Sequence, residues 1–287
     1  MLPRLLTTVT AGAYTFRGVS VGGVYTSIAV PELGVLFDAG IPARSLAAID
    51  TILLSHGHAD HVGALPAILG IRALHGKTKP PRVVMPAEIV ADVLAALEPL
   101  SRLQRFALAI DAVGVMPGDE VELRGDLRVR AIRTFHPVPS LAYLLVRRVA
   151  KLRAEFRGLP GPEIAARRRA GEDVTEYDDR LELAYATDTL ITALDRAPEL
   201  YDARVLMMEC TFLDDKKPLD AARAGCHVHL DEVIERAEKF HNEAIVMMHV
   251  SQLYAPNEVA ALLDRRVPPA LRAKIVPFVP DRAHWPG

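Results

Sequence analysis

Short apolar runs, separated by turns and by stretches of helical periodicity, set the pattern of this chain. Residues 35–37 and 51–54 are apolar and contain β-branched side chains, which is typical of buried strands. Residues 62–69 carry apolar side chains at helical spacing, which predicts a helix. We predict that residues 5–38 form short strands, with a turn at Gly22-Gly23 inside residues 19–24 and an apolar strand at 25–30. By the same criteria we predict strands at residues 83–85, 112–115, 120–123, 127–134, 143–146, 183–186, 205–208 and 244–248, and helices at 87–97, 230–240 and 256–263.

Strands alternate with helices in both halves of the chain, and this alternation predicts an α/β fold. Two similar halves whose sheets face each other, with helices outside, would form a four-layer αββα sandwich. The chain has 287 residues, of which 50% are hydrophobic, so it can bury one large α/β core or two smaller ones. We expect a single domain over residues 1–287.

Composition and charge indicate which partners and which cellular compartment to expect for this chain. The formal net charge is −2, so no overall basic field indicates nucleic-acid binding, although a local basic patch remains compatible with it. Cys210 and Cys226 lack metal-type spacing and are too few for a disulfide framework, which favours a reducing cytoplasm. Residues 1–6 lack the features of a signal peptide, and no run of about 18 apolar residues predicts a membrane span. We therefore expect a cytoplasmic protein with no membrane partner.

Three histidines and one aspartate stand within six residues, directly after a predicted strand. His56 and His58 alternate with Gly57, so an extended backbone can point both rings to one side. Asp60 and His61 follow the turn and can face a second ion. Imidazole and carboxylate ligands together suit zinc and similar divalent ions. The alternative is a polar helix start with surface histidines, but the strand–loop–helix context favours a loop that serves two metal ions.

This H-x-H-x-D-H pattern resembles the signature of the metallo-β-lactamase superfamily, a fold that hosts many hydrolases. Three more residues follow predicted strands in the order and spacing of that superfamily: His136, Asp188 and His249. Each of them alone would more often be an isolated polar residue at a strand end. Together they lead to a ligand assignment, with His56, His58 and His136 on one ion, Asp60, His61 and His249 on the other, and Asp188 on both.

Other polar residues receive different roles. Asp38 ends a predicted strand, and we expect it to form hydrogen bonds near the metals without being a ligand. His75, His241 and His284 lack such a context and are expected to be surface or core side chains. We expect two divalent ions per chain, with zinc as the first choice and Mn²⁺ or Fe²⁺ as alternatives.

Glu209 and His227 are a candidate pair for proton transfer. Glu209 follows the strand predicted at residues 205–208, and His227 precedes a predicted helix. A glutamate beside a histidine can keep the imidazole protonated, ready to protonate a leaving group. The alternatives are an ordinary strand-edge carboxylate and, for His227 and its neighbour His229, polar residues that cap the helix. The residues alone leave both interpretations open.

Residues 147–169 interrupt the alternation of strands and helices. They contain eight lysines and arginines but only two acids, with a Gly-Leu-Pro-Gly-Pro run in the middle, and residues 171–182 are acidic. One interpretation is a solvated surface excursion, as most charge runs are. The other is an arm that contacts phosphates, because basic side chains dominate nucleic-acid affinity. Charge alone does not decide between them.

Several passages together resemble ribonuclease Z, specifically the short form of tRNase Z. They include the Gly-Leu-Pro-Gly run at residues 158–161, the Glu-Cys-Thr-Phe run at 209–212 and the last motif at 249–254, and the resemblance extends from about residue 18 to residue 254. It implies an inserted arm at about residues 147–182 that clasps tRNA, a homodimer, and proton transfer by the glutamate–histidine pair. The resemblance implies Glu209 and His227 as catalytic residues, and the chemistry of a metal-bound hydroxide adds Asp60. The candidate substrate contacts are Arg167, Arg168, Arg169, Ser251 and Tyr254.

Three positions depart from the usual pattern of this family. Thr187 and Ala142 stand where glycine is usual, and Leu253 stands where arginine is usual. The missing arginine removes a potential contact to phosphate or carboxylate. None of the three departures replaces a metal ligand.

We therefore expect a phosphodiesterase in which two cations about 3.5–4 Å apart activate a water and neutralise charge at phosphorus. Asp60 would also orient the attacking hydroxide, and His227, held by Glu209, would protonate the leaving oxygen. The resemblance implies a precursor tRNA substrate, cut to leave a 3′-hydroxyl. The alternative is a hydrolase of a small phosphodiester, sulfate ester, lactam or lactone, which would need only an enclosed pocket. A non-catalytic RNA-binding relative is disfavoured, because every metal ligand is present.

Overall fold

Two seven-stranded sheets form the centre of the structure, a computed structural model that describes residues 6–286. Residues 1–5, on which most of the signal-peptide expectation rests, lie outside the described range. No helix between residues 6 and 286 is long and apolar enough to cross a membrane.

The first sheet comes from the amino-terminal part of the chain, with its strands side by side in sequence order. Its strands are β1 Thr7–Ala11, β2 Tyr14–Val21, β3 Tyr25–Val30, β4 Val35–Phe37, β5 Thr51–Leu53, β6 Arg82–Pro86 and β7 Asp111–Val115. Neighbours as far as β4 pair antiparallel, and β4 to β7 pair parallel. Helices connect the parallel strands, because a parallel pair needs a long crossover.

The second sheet repeats this pairing pattern with the rest of the chain. Its strands are β8 Glu120–Arg124, β9 Leu127–Arg133, β10 Leu141–Leu152, β11 Thr175–Ala186, β12 Val205–Glu209, β13 Ala244–Met248 and β14 Ile275–Pro277. Neighbours as far as β11 pair antiparallel, and β11 to β14 pair parallel. The short edge strand β14 was not predicted from the sequence.

Most helices are short and lie outside the two sheets. They are α1 Arg44–Ala47, α2 Ala59–Val62, α3 Leu65–Leu74, α4 Val90–Gln104, α5 Gly161–Arg169, α6 Thr192–Arg196, α7 Glu199–Asp202, α8 Leu219–Ala224, α9 Leu230–Glu235, α10 Pro256–Arg266 and α11 Pro269–Arg272. The helix predicted at 87–97 starts as the 3₁₀ turn Ala87–Ile89 and extends to Gln104. The helix predicted at 230–240 ends at Glu235, and the 3₁₀ turn Ala237–Lys239 follows it.

Three apolar clusters hold the layers together. The central cluster lies between the sheets and joins side chains of both, such as Phe16 and Phe37 from the first and Tyr143 and Met207 from the second. Two outer clusters pack the helices onto the opposite faces of the sheets. Burial of apolar surface on both faces of each sheet explains why their parallel strands are apolar throughout. The predicted four-layer αββα arrangement is confirmed.

The basic segment is largely a β-ribbon, which was not predicted. β10 and β11 each run for twelve residues and pair as far as Leu152 and Thr175. The strands predicted at 143–146 and 183–186 were therefore too short. Apolar runs mark only the buried halves of these strands, whereas the outer halves are charged and are held by backbone hydrogen bonds. Helix α5 caps the far end of the ribbon.

Acids of the returning strand β11 and of neighbouring segments form ion pairs with many of the basic side chains of this ribbon. Arg147 pairs with Asp126 and Glu182, and Arg157 pairs with Glu176. Lys151 also forms an ion pair with Asp178, Arg153 with Asp173, and Arg167 with Glu163 and Glu172. The alternation of a basic and an acidic stretch therefore reflects cross-strand pairing as well as surface charge.

A buried carboxylate anchors the root of the ribbon. Glu182 is fully buried where the β10–β11 register shifts, and it accepts hydrogen bonds from Arg147 at 2.9 Å and Arg180 at 2.7 Å. Arg204 at 3.2 Å and the hydroxyl of Tyr14, from the other sheet, also donate to it. Burial alone would raise the pKa of Glu182, but these donors outweigh it and lower the pKa.

Candidate metal centre

The strand ends that carry the candidate ligands meet at one edge of the sandwich. Parallel strands present their carboxyl ends at the same side of a sheet, so the residues that follow β5, β11 and β13 converge. His56 follows β5, Asp188 follows β11, and His249 follows β13 directly. The loop after β9 brings in His136, and Ser140 of that loop forms a β-bridge with His56.

The seven candidate ligands form two clusters that share one carboxylate. The ligand atoms of the first cluster lie within 4.8 Å of one another, and its residues are His56, His58, His136 and Asp188. The second cluster meets the same criterion with Asp60, His61, Asp188 and His249. The clusters contain the same residues that the sequence prediction assigned to two ions, and their role as ligands stays a prediction.

Asp188 lies between the two clusters, with one oxygen toward each. Its Oδ2 is 3.8 Å from His56 Nε2, in the first cluster. Its Oδ1 is 3.4 Å from His61 Nε2 and 3.3 Å from His249 Nε2, in the second. Asp60 Oδ2 faces the second cluster as well, 3.4 Å from His61 Nε2. A carboxylate in this position can bridge two cations.

Hydrogen bonds behind the rings fix which nitrogen faces the centre. Asp38 is fully buried, and its Oδ2 accepts a hydrogen bond from His61 Nδ1 at 2.7 Å. The hydroxyl of Tyr185 and the backbone N–H of Ser55 also donate to Asp38. A proton held on Nδ1 leaves the Nε2 lone pair free for a metal ion. Asp38 thus has the supporting role that the sequence predicted.

Two hydroxyl groups fix the orientation and tautomer of two other rings, those of His56 and His249, and the sequence did not predict either hydroxyl group. Ser55 donates to Asp38 and lies 2.9 Å from His56 Nδ1. Thr211 donates to Glu209 at 2.7 Å and lies 3.1 Å from His249 Nδ1. Each hydroxyl proton is committed to a carboxylate, so each oxygen accepts from the imidazole N–H. Thr211 lies in the Glu-Cys-Thr-Phe run, and its presence in that motif was the sequence feature that could have indicated its role.

The donor set fits divalent metal ions. The Nε2 atoms of His56, His61 and His249 are buried and have no hydrogen-bond partner among residues 6–286. Buried polar atoms without partners are rare and costly in proteins. Several such nitrogen lone pairs that face one carboxylate are stabilised by a cation, and nitrogen with oxygen donors suits zinc and similar ions.

Electrostatics around the site agree with this interpretation. Burial lowers the pKa of His56, His136 and His249, which favours the neutral imidazole that a metal requires. Burial alone would also lower the pKa of His61, but Asp38 and Asp188 outweigh it and raise that pKa well above its usual value. The carboxylates therefore create a negative field at the second cluster, where positive charge is stabilised.

Glu209 and His227 form a contact at the edge of the centre. His227 Nδ1 lies 3.1 Å from Glu209 Oε2, and its ring stacks on His249. Glu209 is fully buried and also accepts from the backbone N–H groups of Thr189 and Val228. Burial alone would lower the pKa of His227, but Glu209 raises it to about 9. His229, in contrast, caps helix α9 and is fully buried.

The candidate substrate contacts differ in their surroundings. Tyr254 is fully buried, and its hydroxyl donates to Asp214 and accepts from the backbone N–H of Leu213. This geometry favours a structural role for Tyr254 over the expected substrate contact, because no part of the ring reaches solvent. Ser251 is half-buried two residues after His249, and its backbone forms an isolated β-bridge with Gly22.

The three arginines of the arm are not equivalent. Arg167 is paired with Glu163 and Glu172. Arg168 and Arg169 are exposed, and neither has an ion-pair partner in the described part of the chain. These two side chains are therefore the ones available to a ligand.

The departures from the family pattern are accommodated without loss of a candidate ligand. Thr187 is buried, and its hydroxyl donates to Asp188 Oδ1 at 2.7 Å. Ala142 is fully buried in β10. Leu253 is exposed, and the ammonium of Lys216 lies 3.4 Å from its carbonyl oxygen. The three histidines without strand-end context, His75, His241 and His284, are all exposed, and none belongs to a candidate ligand cluster within residues 6–286.

Three residues at this edge have strained backbones. Asp38, Asp188 and His249 have φ values of 56°, 46° and 59°, in the left-handed region that L-residues rarely adopt. Such strain persists where the surrounding structure over-determines the conformation, as it does at many functional sites.

The chain is similar in sequence and in fold to proteins of the beta-lactamase superfamily, in particular to tRNase Z proteins. A sequence model of the beta-lactamase superfamily domain matches residues 29–250. The protein tRNase Z TRZ1 of Arabidopsis thaliana is 35% identical over 265 residues, which cover 91% of this chain and 94% of that protein. The chloroplastic tRNase Z TRZ2 of Arabidopsis thaliana is 30% identical, over 93% of this chain and 75% of that protein. The crystal structure of the short form of human tRNase Z superposes with a TM-score of 0.54 at 18% identity, covering 88% of this chain and 93% of that one.

Replacement of Asp38 by asparagine tests the support behind the ligands. An amide at this position can donate to His61 Nδ1 and would move the proton to Nε2, where it blocks metal binding. We expect affinity for Zn²⁺ to fall by about 10–100-fold, the usual effect of losing such a partner. The measurement is competition with a chromogenic chelator. Asp195→Asn, which alters a carboxylate bonded to Arg236 and Lys239, is the control. Equal affinities for both variants would contradict the proposed support.

Proposed function

This chain belongs to the tRNase Z family within the beta-lactamase superfamily, and on that premise we propose that it is a metal-dependent phosphodiesterase that cuts precursor tRNA at its 3′ side. The observation that carries the proposal is the pair of histidine–aspartate clusters that share Asp188. One phosphate diester contacting both clusters would be held by two cations.

We further propose that the seven residues bind two ions per chain, with zinc as the first choice. His56, His58 and His136 would hold one ion, Asp60, His61 and His249 the other, and Asp188 both. Ions bound there would supply Lewis-acid activation of water and charge neutralisation at phosphorus. The homodimer and the cytoplasmic location expected from the sequence also remain predictions.

Asp60 is suited to orient the attacking water. Its side chain is 15% exposed, more than the 4% of Asp188, so its carboxylate is accessible from the solvent side. An ionised carboxylate accepts hydrogen bonds only, and burial, which alone would raise the pKa of Asp60, is outweighed by His61. Asp60 can therefore accept a hydrogen bond from water and fix its direction toward phosphorus.

His227 would protonate the leaving oxygen. Its Nδ1 is bonded to Glu209, which leaves Nε2 for the substrate, and its side chain is 21% exposed beside His136 and His249. The proton on Nε2 passes to the 3′-oxygen as the phosphorus–oxygen bond breaks, so the upstream product ends in a hydroxyl. Glu209 then stabilises the ring during this transfer.

The arm would bind the body of the RNA through Arg168 and Arg169, with Arg167 serving mainly to shape helix α5. Cross-strand ion pairs stiffen the ribbon, and Glu182 ties its root to both sheets. A stiff arm whose tip carries Arg168 and Arg169, which form no ion pair within residues 6–286, can contact phosphates at a distance from the proposed metal site. A small substrate would not need this arm, so the arm favours RNA over the small-substrate alternative.

The metal assignment predicts the stoichiometry of the purified protein. Protein never exposed to a chelator should contain about two divalent ions per chain, chiefly zinc, by elemental analysis. Asp188→Ala should lose metal as well as activity, because it removes a ligand from both ions. A wild-type content of one ion or none would contradict the two-ion assignment.

The proton-transfer assignment predicts a dependence on the leaving group. His227→Ala should slow cleavage of precursor tRNA by about 10²–10⁴-fold, the usual size of a general-acid contribution. The loss should be smaller on bis(p-nitrophenyl) phosphate, because p-nitrophenolate leaves without protonation. His241→Ala, at an exposed histidine, is the control, and metal content is measured for both variants. Equal losses on the two substrates would show that His227 has a structural or binding role.

The arm assignment predicts a change in salt dependence. Replacing Arg168 and Arg169 by alanine should weaken precursor-tRNA binding and flatten the slope of log affinity against log salt by about 0.7–0.9 per lost contact. The measurement is filter binding across a salt series, with hydrolysis of bis(p-nitrophenyl) phosphate as a check of the metal centre. Arg153→Ala, which removes a basic residue already paired with Asp173, should change the slope less. An unchanged slope and affinity in the double variant would exclude the arm as a tRNA contact and favour a small-substrate hydrolase.

A further inference from the structure

A cavity of about 290 Å³ adjoins the metal centre at the carboxyl edge of both sheets. Its walls come from the end of β6, the turn after β7 and the loop that follows β9. His136 lies in its lining, so the cavity and the first ligand cluster share a side chain. Ligands of α/β proteins commonly bind at this edge. The volume suits one small organic group rather than a folded RNA.

The cavity contains two charged side chains that the fold leaves free. Arg133, the last residue of β9, and Glu88, on the turn after β6, are exposed and line it. Neither has a hydrogen-bond or ion-pair partner within residues 6–286, whereas Arg128 and Arg130 of the same strand are both paired with Glu120. The fold therefore does not need Arg133 for local pairing.

The rest of the lining combines apolar and small polar groups. Met116 and Val138 supply apolar surface, and Thr134 and Ser140 supply hydroxyl groups. Apolar surface next to a carboxylate and a guanidinium matches the parts of a nucleotide, which has a flat base, hydrogen-bond donors on the base edge, and a phosphate.

We propose that this cavity is a subsite for one nucleotide of the RNA substrate, the nucleotide that keeps the phosphate when the chain is cut. This inference rests on the proposed function and specifies how its substrate lies. The departing 3′-oxygen must face His227, and no residue of the stretch 209–229 lines the cavity. The nucleotide upstream of the cut therefore lies outside it, and the downstream nucleotide is the one that can enter.

Each free charge has a role in this arrangement. The guanidinium of Arg133 binds the next phosphate along the chain, on the 3′ side of the bound nucleotide, because the scissile phosphate is held at the metals. The carboxylate of Glu88 accepts a hydrogen bond from an N–H on the base edge. Arg133 is thus a binding residue that increases the affinity for a substrate with a second phosphate.

Three chromogenic substrates with one leaving group test this subsite. They are bis(p-nitrophenyl) phosphate, uridine 5′-(p-nitrophenyl phosphate), and the same uridine ester with a 3′-phosphate. For the wild-type protein we expect KM to fall at each step, with the 3′-phosphate contributing about tenfold, as expected for one charged contact. In Arg133→Ala the ratio of the KM values for the two uridine esters should fall to about one, and Arg133→Lys should keep part of it.

Comparing ratios within each variant removes any effect on the metal centre itself. Arg265→Ala, at an exposed arginine on α10, is the matched control and should keep the wild-type ratio. Met116→Trp should fill the cavity from the turn after β7, and it should reduce the preference for both uridine esters over bis(p-nitrophenyl) phosphate, with metal content measured to check the neighbouring His136. A wild-type protein with equal KM values for all three substrates would overturn the subsite. So would Arg133→Ala with an unchanged ratio.

These experiments distinguish a failure of the proposed subsite from a failure of the proposed tRNA processing. Cleavage of precursor tRNA without any preference among the chromogenic esters would leave tRNA processing intact and exclude the subsite. A clear preference for the uridine esters, removed by Arg133→Ala, in a protein that does not cut precursor tRNA would support the subsite and exclude tRNA processing.

Discussion

The carboxylate of Asp188 between two groups of histidines is the interaction on which the rest of this structure depends. Buried imidazole lone pairs that face one another and a carboxylate are unfavourable unless a cation lies between them. The surrounding structure serves to keep them in that position. The ends of strands from both sheets bring the rings together, and Asp38, Asp188 and His249 have left-handed backbones at these ends. Asp38, Ser55 and Thr211 fix the tautomers of the rings.

Much of the site could be predicted because its signals are local. Three histidines and an aspartate in six residues identify a metal loop, and the other ligands each follow an apolar run that ends in a polar residue. The hydroxyl groups of Ser55 and Thr211 could not be predicted in this way. Serine and threonine are common in loops, and the hydrogen bonds that give them a role join residues far apart in the sequence, such as Thr211 and His249.

The basic segment shows a second limit of sequence patterns. Apolar runs marked only the buried halves of β10 and β11, since the outer halves of a two-stranded ribbon need no apolar side chains. The basic run alone left open whether its cations are free, but five of its eight basic side chains form ion pairs, each of them with an acid of residues 171–182. At the tip of the arm, Arg168 and Arg169 form no ion pair within residues 6–286. The cavity beside His136 could not be predicted from the sequence either, because its walls come from three segments that are far apart in the chain.

The proposed metal ions, His227, the arm and the cavity would together form one path for RNA across the carboxyl edge of the sandwich. The most direct test of this account is to incubate the purified protein with a precursor tRNA that carries a 3′ extension and to analyse both product ends. The account predicts one cut, a 3′-hydroxyl on the tRNA, a 5′-phosphate on the released trailer, and loss of cleavage with EDTA that Zn²⁺ or Mn²⁺ restores. An intact precursor in the presence of protein that hydrolyses bis(p-nitrophenyl) phosphate, or a product ending in a 3′-phosphate, would contradict it.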